Sequence, residues 1–180
     1  MREPLTAENL QVFMKALARE ARTPSRIYLV GGASAVVLGW RNSTIDVDLK
    51  IIPESDEILR SLPRLKEQLR INIELASPDD FIPELPGWQE RSRFIQQEGK
   101  LSFYHYDFYA QALAKIERGH GIDLNDVEQL IVTGLVDVKR LPEFFTAIRD
   151  QIYRYPDLDA EIFQQAVERV VKKFGGPLDN

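Results

Sequence analysis

Cysteine is absent from this 180-residue chain, which excludes disulfides, thiolate metal sites and a cysteine nucleophile. Histidine is scarce, with 2 in all. His105 and His120 stand too far apart for the helical pairing of metal ligands, so each reads as a structural or surface imidazole. Any catalysis must then draw on carboxylates, lysines, hydroxyls or the two histidines. Long apolar runs are also missing. None approaches the ~18–20 residues that cross a bilayer, and the start, Met1-Arg2-Glu3-Pro4, lacks the apolar stretch of a secretory signal. The expected address is the cytoplasm, with no membrane partner. Positive charge is in deficit, 23 Lys and Arg against 28 Asp and Glu, for a net charge of -5. That argues against a coat of positive charge gripping long nucleic acid. It leaves room for a local basic mouth, and acidic groups gathered around metal ions would add to such a total. No internal repeat or low-complexity tract occurs. A hydrophobic content of 44% supports one good core, or one core with a small helical appendage.

What is present falls into two halves. Leu10, Phe13, Met14 and Leu17 recur at helical spacing between Thr6, a plausible N-cap, and about Arg22. Arg26 to Val30 reads as a buried strand, followed by a tight Gly31-Gly32 turn and two helical turns from Ala33 to Leu38, closed by Gly39. Residues 45–52 alternate. Ile45, Val47, Leu49 and Ile51 make a core face, and Asp46, Asp48 and Lys50 make the opposite one. A helix is expected over 54–69, bent or split by Pro63, then a strand over 71–75. Residues 81–93, rich in proline, read as a surface loop around Trp88, and a last strand spans 100–106. Beyond it the period turns helical, over 108–118, 124–132, 141–153 and 160–174, the last capped by Asp157 or Asp159. The expected class is α+β: a small mixed sheet with flanking helices over 1–106, then a helical C-terminal bundle over 107–180 packed on that core.

Two carboxylates at i and i+2 on a strand point to one side, which is unfavourable unless a cation lies between them. Hard oxygen ligands of this kind suit Mg²⁺ or Mn²⁺. A solvated strand face would show the same D-x-D spacing, so context matters. Gly31 and Gly32 let backbone approach a phosphate, and the helix after them presents N–H groups and a positive dipole end, with Ser34 adding a hydroxyl donor. A turn that needs glycine for its backbone angles explains the same pair. Arg41 either reaches a triphosphate or is a solvated loop cation.

The stretch from Tyr28 to Leu49, with Gly31-Gly32-Ala33-Ser34, a helix and Asp46-Val47-Asp48 between apolar residues, resembles the signature of the nucleotidyltransferase superfamily of the DNA polymerase beta type. Arg41-x-x-Thr44-x-Asp46-x-Asp48-Leu49 is similar to that of the abortive-infection toxin nucleotidyltransferases and their uncharacterised bacterial relatives. The resemblance extends to Lys115 on a later helix and to the acidic residues Asp123 and Asp126 after it. It implies a nucleotidyltransferase fold in which Asp46 and Asp48 hold the metal ions. Glu74 is the candidate for the third metal carboxylate or the catalytic base, although aspartate is commoner there. Gly31, Gly32, Ser34, Arg41, Thr44, Lys115 and Asp123 are implied to surround the nucleotide. Read without the resemblance, Glu74 is a base or third ligand pointing off the strand, or an exposed strand carboxylate, and Lys115, at the boundary of an apolar helix face, reaches into a cleft or snorkels to solvent. Asp123, with Asp126, caps a helix.

The expected activity is transfer of NMP from an NTP to a hydroxyl acceptor, an RNA 3′ end such as that of tRNA, or a protein side chain. A cognate antitoxin is an expected partner. The rival expectation is a non-catalytic relative serving as a binding or antitoxin-like protein. A sugar-nucleotide transferase with a D-x-D site is less apt, because it needs a longer nucleotide-binding half before the motif.

Overall fold

A computed structural model of the chain describes residues 3–176; the first two residues of the expected sheet half and the last four of the expected helical region lie outside the described residues. The chain divides into two compact units. One takes the chain up to Ser77 together with Ser92–Tyr106, and the other takes Pro78–Arg91 together with the chain from Asp107. The expected halves placed residues 78–91 with the sheet.

The first unit is built on strands β1 (Leu5–Thr6), β2 (Ser25–Val30), β3 (Ser43–Thr44), β4 (Asp46–Ile52), β5 (Asn72–Leu75), β6 (Arg93–Glu98) and β7 (Leu101–His105), with helices α1 (Ala7–Glu20), α2 (Gly31–Leu38) and α3 (Asp56–Leu69). Its main sheet has the order β5-β4-β2-β7-β6, and β1 pairs with β3 in a second, two-stranded sheet. The main sheet is mixed: β4 runs antiparallel to β2 and parallel to β5, and β2 runs parallel to β7. A parallel neighbour demands a crossover, and α3 supplies the one from β4 to β5.

One face of this sheet is the core. Leu10, Phe13, Met14 and Leu17 of α1 and Ile58, Leu62 and Leu65 of α3 bury against Ile27, Leu29, Val47, Leu49, Ile51, Ile73 and Phe103. Each such side chain contributes roughly 1.5–3 kcal/mol by leaving water. Thr6 caps α1 as its spacing predicts, accepting from the Asn9 backbone N–H. Pro63 lies inside α3, which continues past it as one helix and is not split.

Three expectations fail here for local reasons. Ile45 is 72% exposed, because β4 begins one residue later and no ladder holds Ile45 to the core face. Residues 93–98, left unassigned or in a loop, form an edge strand that pairs antiparallel with β7 around Gly99. The proline-rich stretch is a surface loop only in part. Residues 81–87 are irregular as expected, but Ile82, Leu85 and Trp88 are buried, and Trp88–Arg91 forms the short helix α4.

The second unit packs α4 with α5 (Phe108–Arg118), α6 (Gly121–Val132), α7 (Leu141–Arg149) and α8 (Ala160–Phe174). Asp159, one of two expected caps, accepts from the N–H groups of Glu161 and Ile162 at the start of α8. α7 ends at Arg149, short of the expected 153, and a 3-10 turn follows at Ile152–Arg154. The architecture is α+β, a small mixed sheet with flanking helices followed by helices. Among the described residues, no helix is long and apolar enough to cross a membrane.

Candidate active site

The alternation of β4 buries Val47, Leu49 and Ile51 and leaves Asp46, Asp48 and Lys50 half-buried on the other face. Register carries that face across the sheet. Asp46 lies opposite Asn72 and Asp48 opposite Glu74 on β5, and Asp48 lies opposite Val30 on β2. Four polar side chains therefore form one block on two parallel strands.

Asn72, buried and absent from the sequence-based set, organises the block. Its amide Nδ2 donates to Asp46 Oδ1 and to Glu74 Oε1, each at 2.7 Å. One NH₂ group thus spends both protons on two carboxylates that would otherwise repel. Of the three carboxylates expected to hold metal, Asp46 and Glu74 thus share one amide, and Asp48 lies opposite Glu74 on the neighbouring strand. No group of three or more carboxylates or imidazoles among the described residues is arranged to hold a metal ion. The sequence did carry a signal for Asn72, since it alternates with Glu74 on the same strand face.

The glycine pair differs from expectation too. No loop separates strand from helix, since β2 ends at Val30 and α2 starts at Gly31. Gly31 makes that change of direction with φ +57, a left-handed angle that L side chains resist. A Cβ on Gly31 would stand 3.5 Å from Asp48 Oδ2, so the turn lies directly against the carboxylate. Gly32 faces protein as well. A Cβ there would stand 2.1 Å from Thr44 Oγ1, 2.8 Å from Thr44 Cβ and 3.2 Å from an Arg41 guanidinium nitrogen. Thr44 in turn donates to the Asp46 carbonyl at 3.3 Å. The missing Gly32 side chain thus leaves the room in which Thr44 seats β3 on the turn.

This packing makes a prediction. Gly32→Ala should cost about 1–3 kcal/mol in urea denaturation, the usual penalty for overpacking, and Gly32→Ala with Thr44→Gly should recover part of it. Rotating the threonine hydroxyl away would not suffice, because its Cβ still clashes. A single variant as stable as the parent would overturn the close contact.

Ser34 is buried, and its hydroxyl is bonded to His105 Nδ1 at 2.7 Å. The hydroxyl expected to face a phosphate is thus buried and paired with an imidazole at the end of β7. Burial lowers the pKa of His105 to about 4, with the nearby Arg93 charge adding to the effect, so the ring is neutral at pH 7.

Lys115 and Asp123 belong to the second unit, where they bind each other and their neighbours. Lys115 Nζ lies 2.7 Å from Asp126 Oδ2 and 3.6 Å from Asp123 Oδ1. Arg118 grips Asp123 with two parallel bonds, Nε to Oδ2 at 2.8 Å and Nη2 to Oδ1 at 2.5 Å. Burial pushes the Asp123 carboxyl up, but Arg118 and Lys115 more than offset it and the net shift is downward. Asp123 does not cap α6, although it lies in the first turn as expected. The cap position of α6 is His120, and both acids face inward. A helix-period reading could have found this, because Lys115 and Arg118 share a face of α5.

Comparison with solved structures finds similarity to an antigenic nucleotidyltransferase-like protein from Paracoccidioides brasiliensis, at 16% identity and a TM-score of 0.49, covering 92% of this chain and 95% of that one. No curated protein matches the chain. The family model described as "Nucleotidyltransferase of unknown function (DUF6036)" matches residues 8–174, and the chain belongs to that family.

Proposed function

We propose that this protein is a divalent-metal-dependent nucleotidyltransferase, which moves a nucleoside monophosphate from an NTP to a hydroxyl acceptor and releases pyrophosphate. The observation that carries the reading is the placement of Asp46 and Asp48 on one face of β4, with the Gly31 turn against Asp48. The donor set fits Mg²⁺ or Mn²⁺. Such ions in phosphoryl-transfer sites take one or two carboxylates and complete their shell with water and substrate phosphates, so a full protein cage is not required. When bound, the ion neutralises triphosphate charge and lowers the pKa of the attacking hydroxyl.

The chain's own groups do the rest. Asn72 and the Thr44 bond to its carbonyl hold Asp46 in place. Val30 offers no capping side chain to α2, whose N-terminal dipole favours an anion beside Asp48, and Arg41 adds a cation next to Gly32. Glu74, exposed and steadied by Asn72, is the carboxylate proposed to take the acceptor's proton. Lys115 and Asp123 are left out of the proposed set because each has buried ion partners. The acceptor proposed is an RNA 3′ end such as that of tRNA, or a protein hydroxyl. The setting is the cytoplasm, with a cognate antitoxin as restraint. One observation favours the rival, a non-catalytic binding or antitoxin-like protein: the Asn72 amide fills the gap between Asp46 and Glu74.

The test is incubation with Mg²⁺ and each labelled NTP, with and without total tRNA, beside the Asp46→Asn plus Asp48→Asn variant. Label transfer should fall by more than the ~10–100-fold typical of changes outside the ligand shell. Nucleotide binding without transfer to any acceptor would favour the rival, and absence of both would sink the assignment.

A further inference from the structure

α2 is apolar apart from one side chain. Its sequence, Gly-Gly-Ala-Ser-Ala-Val-Val-Leu, buries Ala33, Ala35 and Val36 together with Ser34. Apolar packing is non-directional, so it does little to set the rotation or axial position of so short a helix. The Ser34 hydroxyl is the only side-chain group of α2 that can make a directional bond, and it is bonded to His105 Nδ1 at 2.7 Å. Both partners are more than nine-tenths buried. His105 is itself held by the sheet. It ends β7, lies opposite Leu29 on β2, and is followed by Tyr106, whose N–H donates to the Leu29 carbonyl at 2.9 Å. The bond therefore ties the first turn of α2 to a rigid strand, one residue short of the place where Val30 lies opposite Asp48.

We propose that His105 is a positioning residue for the nucleotide: by holding Ser34 it fixes the Gly31-Gly32 turn against Asp48, and so sets how tightly the triphosphate is bound. The inference rests on the function proposed above. It also accounts for a polar pair at a place where two apolar side chains would bury at less cost, since a buried hydroxyl and imidazole must find each other or forfeit their hydration.

Three variants test it. Ser34→Ala and His105→Phe both remove the bond, the first without adding bulk. His105→Asn keeps an amide where Nδ1 stood. Affinity for each NTP is read by calorimetry with Mg²⁺, and amide hydrogen exchange is followed across residues 31–35. Ser34→Ala and His105→Phe should weaken binding about tenfold, as loss of one buried hydrogen bond implies, and should raise KM far more than they lower kcat. Exchange at residues 31–35 should quicken, and His105→Asn should restore both readings. Unchanged affinity in Ser34→Ala, unchanged exchange, or equal loss in His105→Asn would overturn the proposal. If the parent protein binds no NTP, the proposed function fails and the affinity claim with it. The exchange data then decide separately whether His105 fixes the turn.

Discussion

Lys115→Met is expected to destabilise the fold by about 3–5 kcal/mol, the usual cost of removing one partner from a buried ion pair. The Lys115 side chain is 10% exposed, and those of Asp123 and Asp126 are 1% and 5% exposed. Asp123 keeps Arg118 when the lysine is gone, so most of the penalty falls on Asp126, whose 2.7 Å contact is lost. A further result follows from that assignment. Lys115→Met with Asp126→Leu should be markedly more stable than the single variant, because the buried charge leaves with its partner. Urea titrations of the single and double variants give the coupling energy. A loss below about 1 kcal/mol for Lys115→Met would show the cluster to be as weak as a surface pair. Such a result would return Lys115 to the nucleotide role that the resemblance implies.

The parts of the fold legible in the sequence are those carried by local periodicity. Val47, Leu49 and Ile51 alternate strictly with Asp48 and Lys50, so the polar face of β4 could be read residue by residue. It failed only at Ile45, where the pattern ran past the end of the strand. The helices of the second half were legible for the same reason. Over residues 81–93 the prolines mark an irregular backbone correctly as far as residue 87, but composition suggests solvent where Ile82, Leu85 and Trp88 are buried. Within the site, the aspartate pair and the glycine turn are neighbours in sequence and were found together. The bonds that hold them are not. Asn72 reaches Asp46 across 26 residues and His105 reaches Ser34 across 71, and no local pattern records either pairing. The hydroxyls of Ser34 and Thr44 are chemically able groups that sequence can name, but their partners, His105 and the Asp46 carbonyl, are visible only in the fold.

The stability of the protein should fall by about 3 kcal/mol between pH 6.5 and pH 4 on account of His105 alone. Its pKa is lowered to about 4 in the fold by burial and by Arg93, from an ordinary value of 6.5. Above pH 6.5 neither state carries the proton and the imidazole imposes no penalty. Between the two values the unfolded chain binds a proton that the folded protein refuses, so each unit of acidification costs about 1.4 kcal/mol. Below about pH 4 both states are protonated and the slope vanishes. The other resolved shifts do not mimic this. Burial raises Asp107 and Glu117, so those carboxyls take protons more readily when folded and add stability on acidification. The lowered Asp123 acts only below its ordinary value of 3.8. The difference between the parent and His105→Asn therefore isolates the imidazole. Urea midpoints measured at half-unit steps should converge as pH falls from 6.5 to 4, with the parent losing stability faster. Parallel curves would mean that the ring titrates alike in both states, and that Ser34 is bonded to an imidazole far wetter than the structure shows.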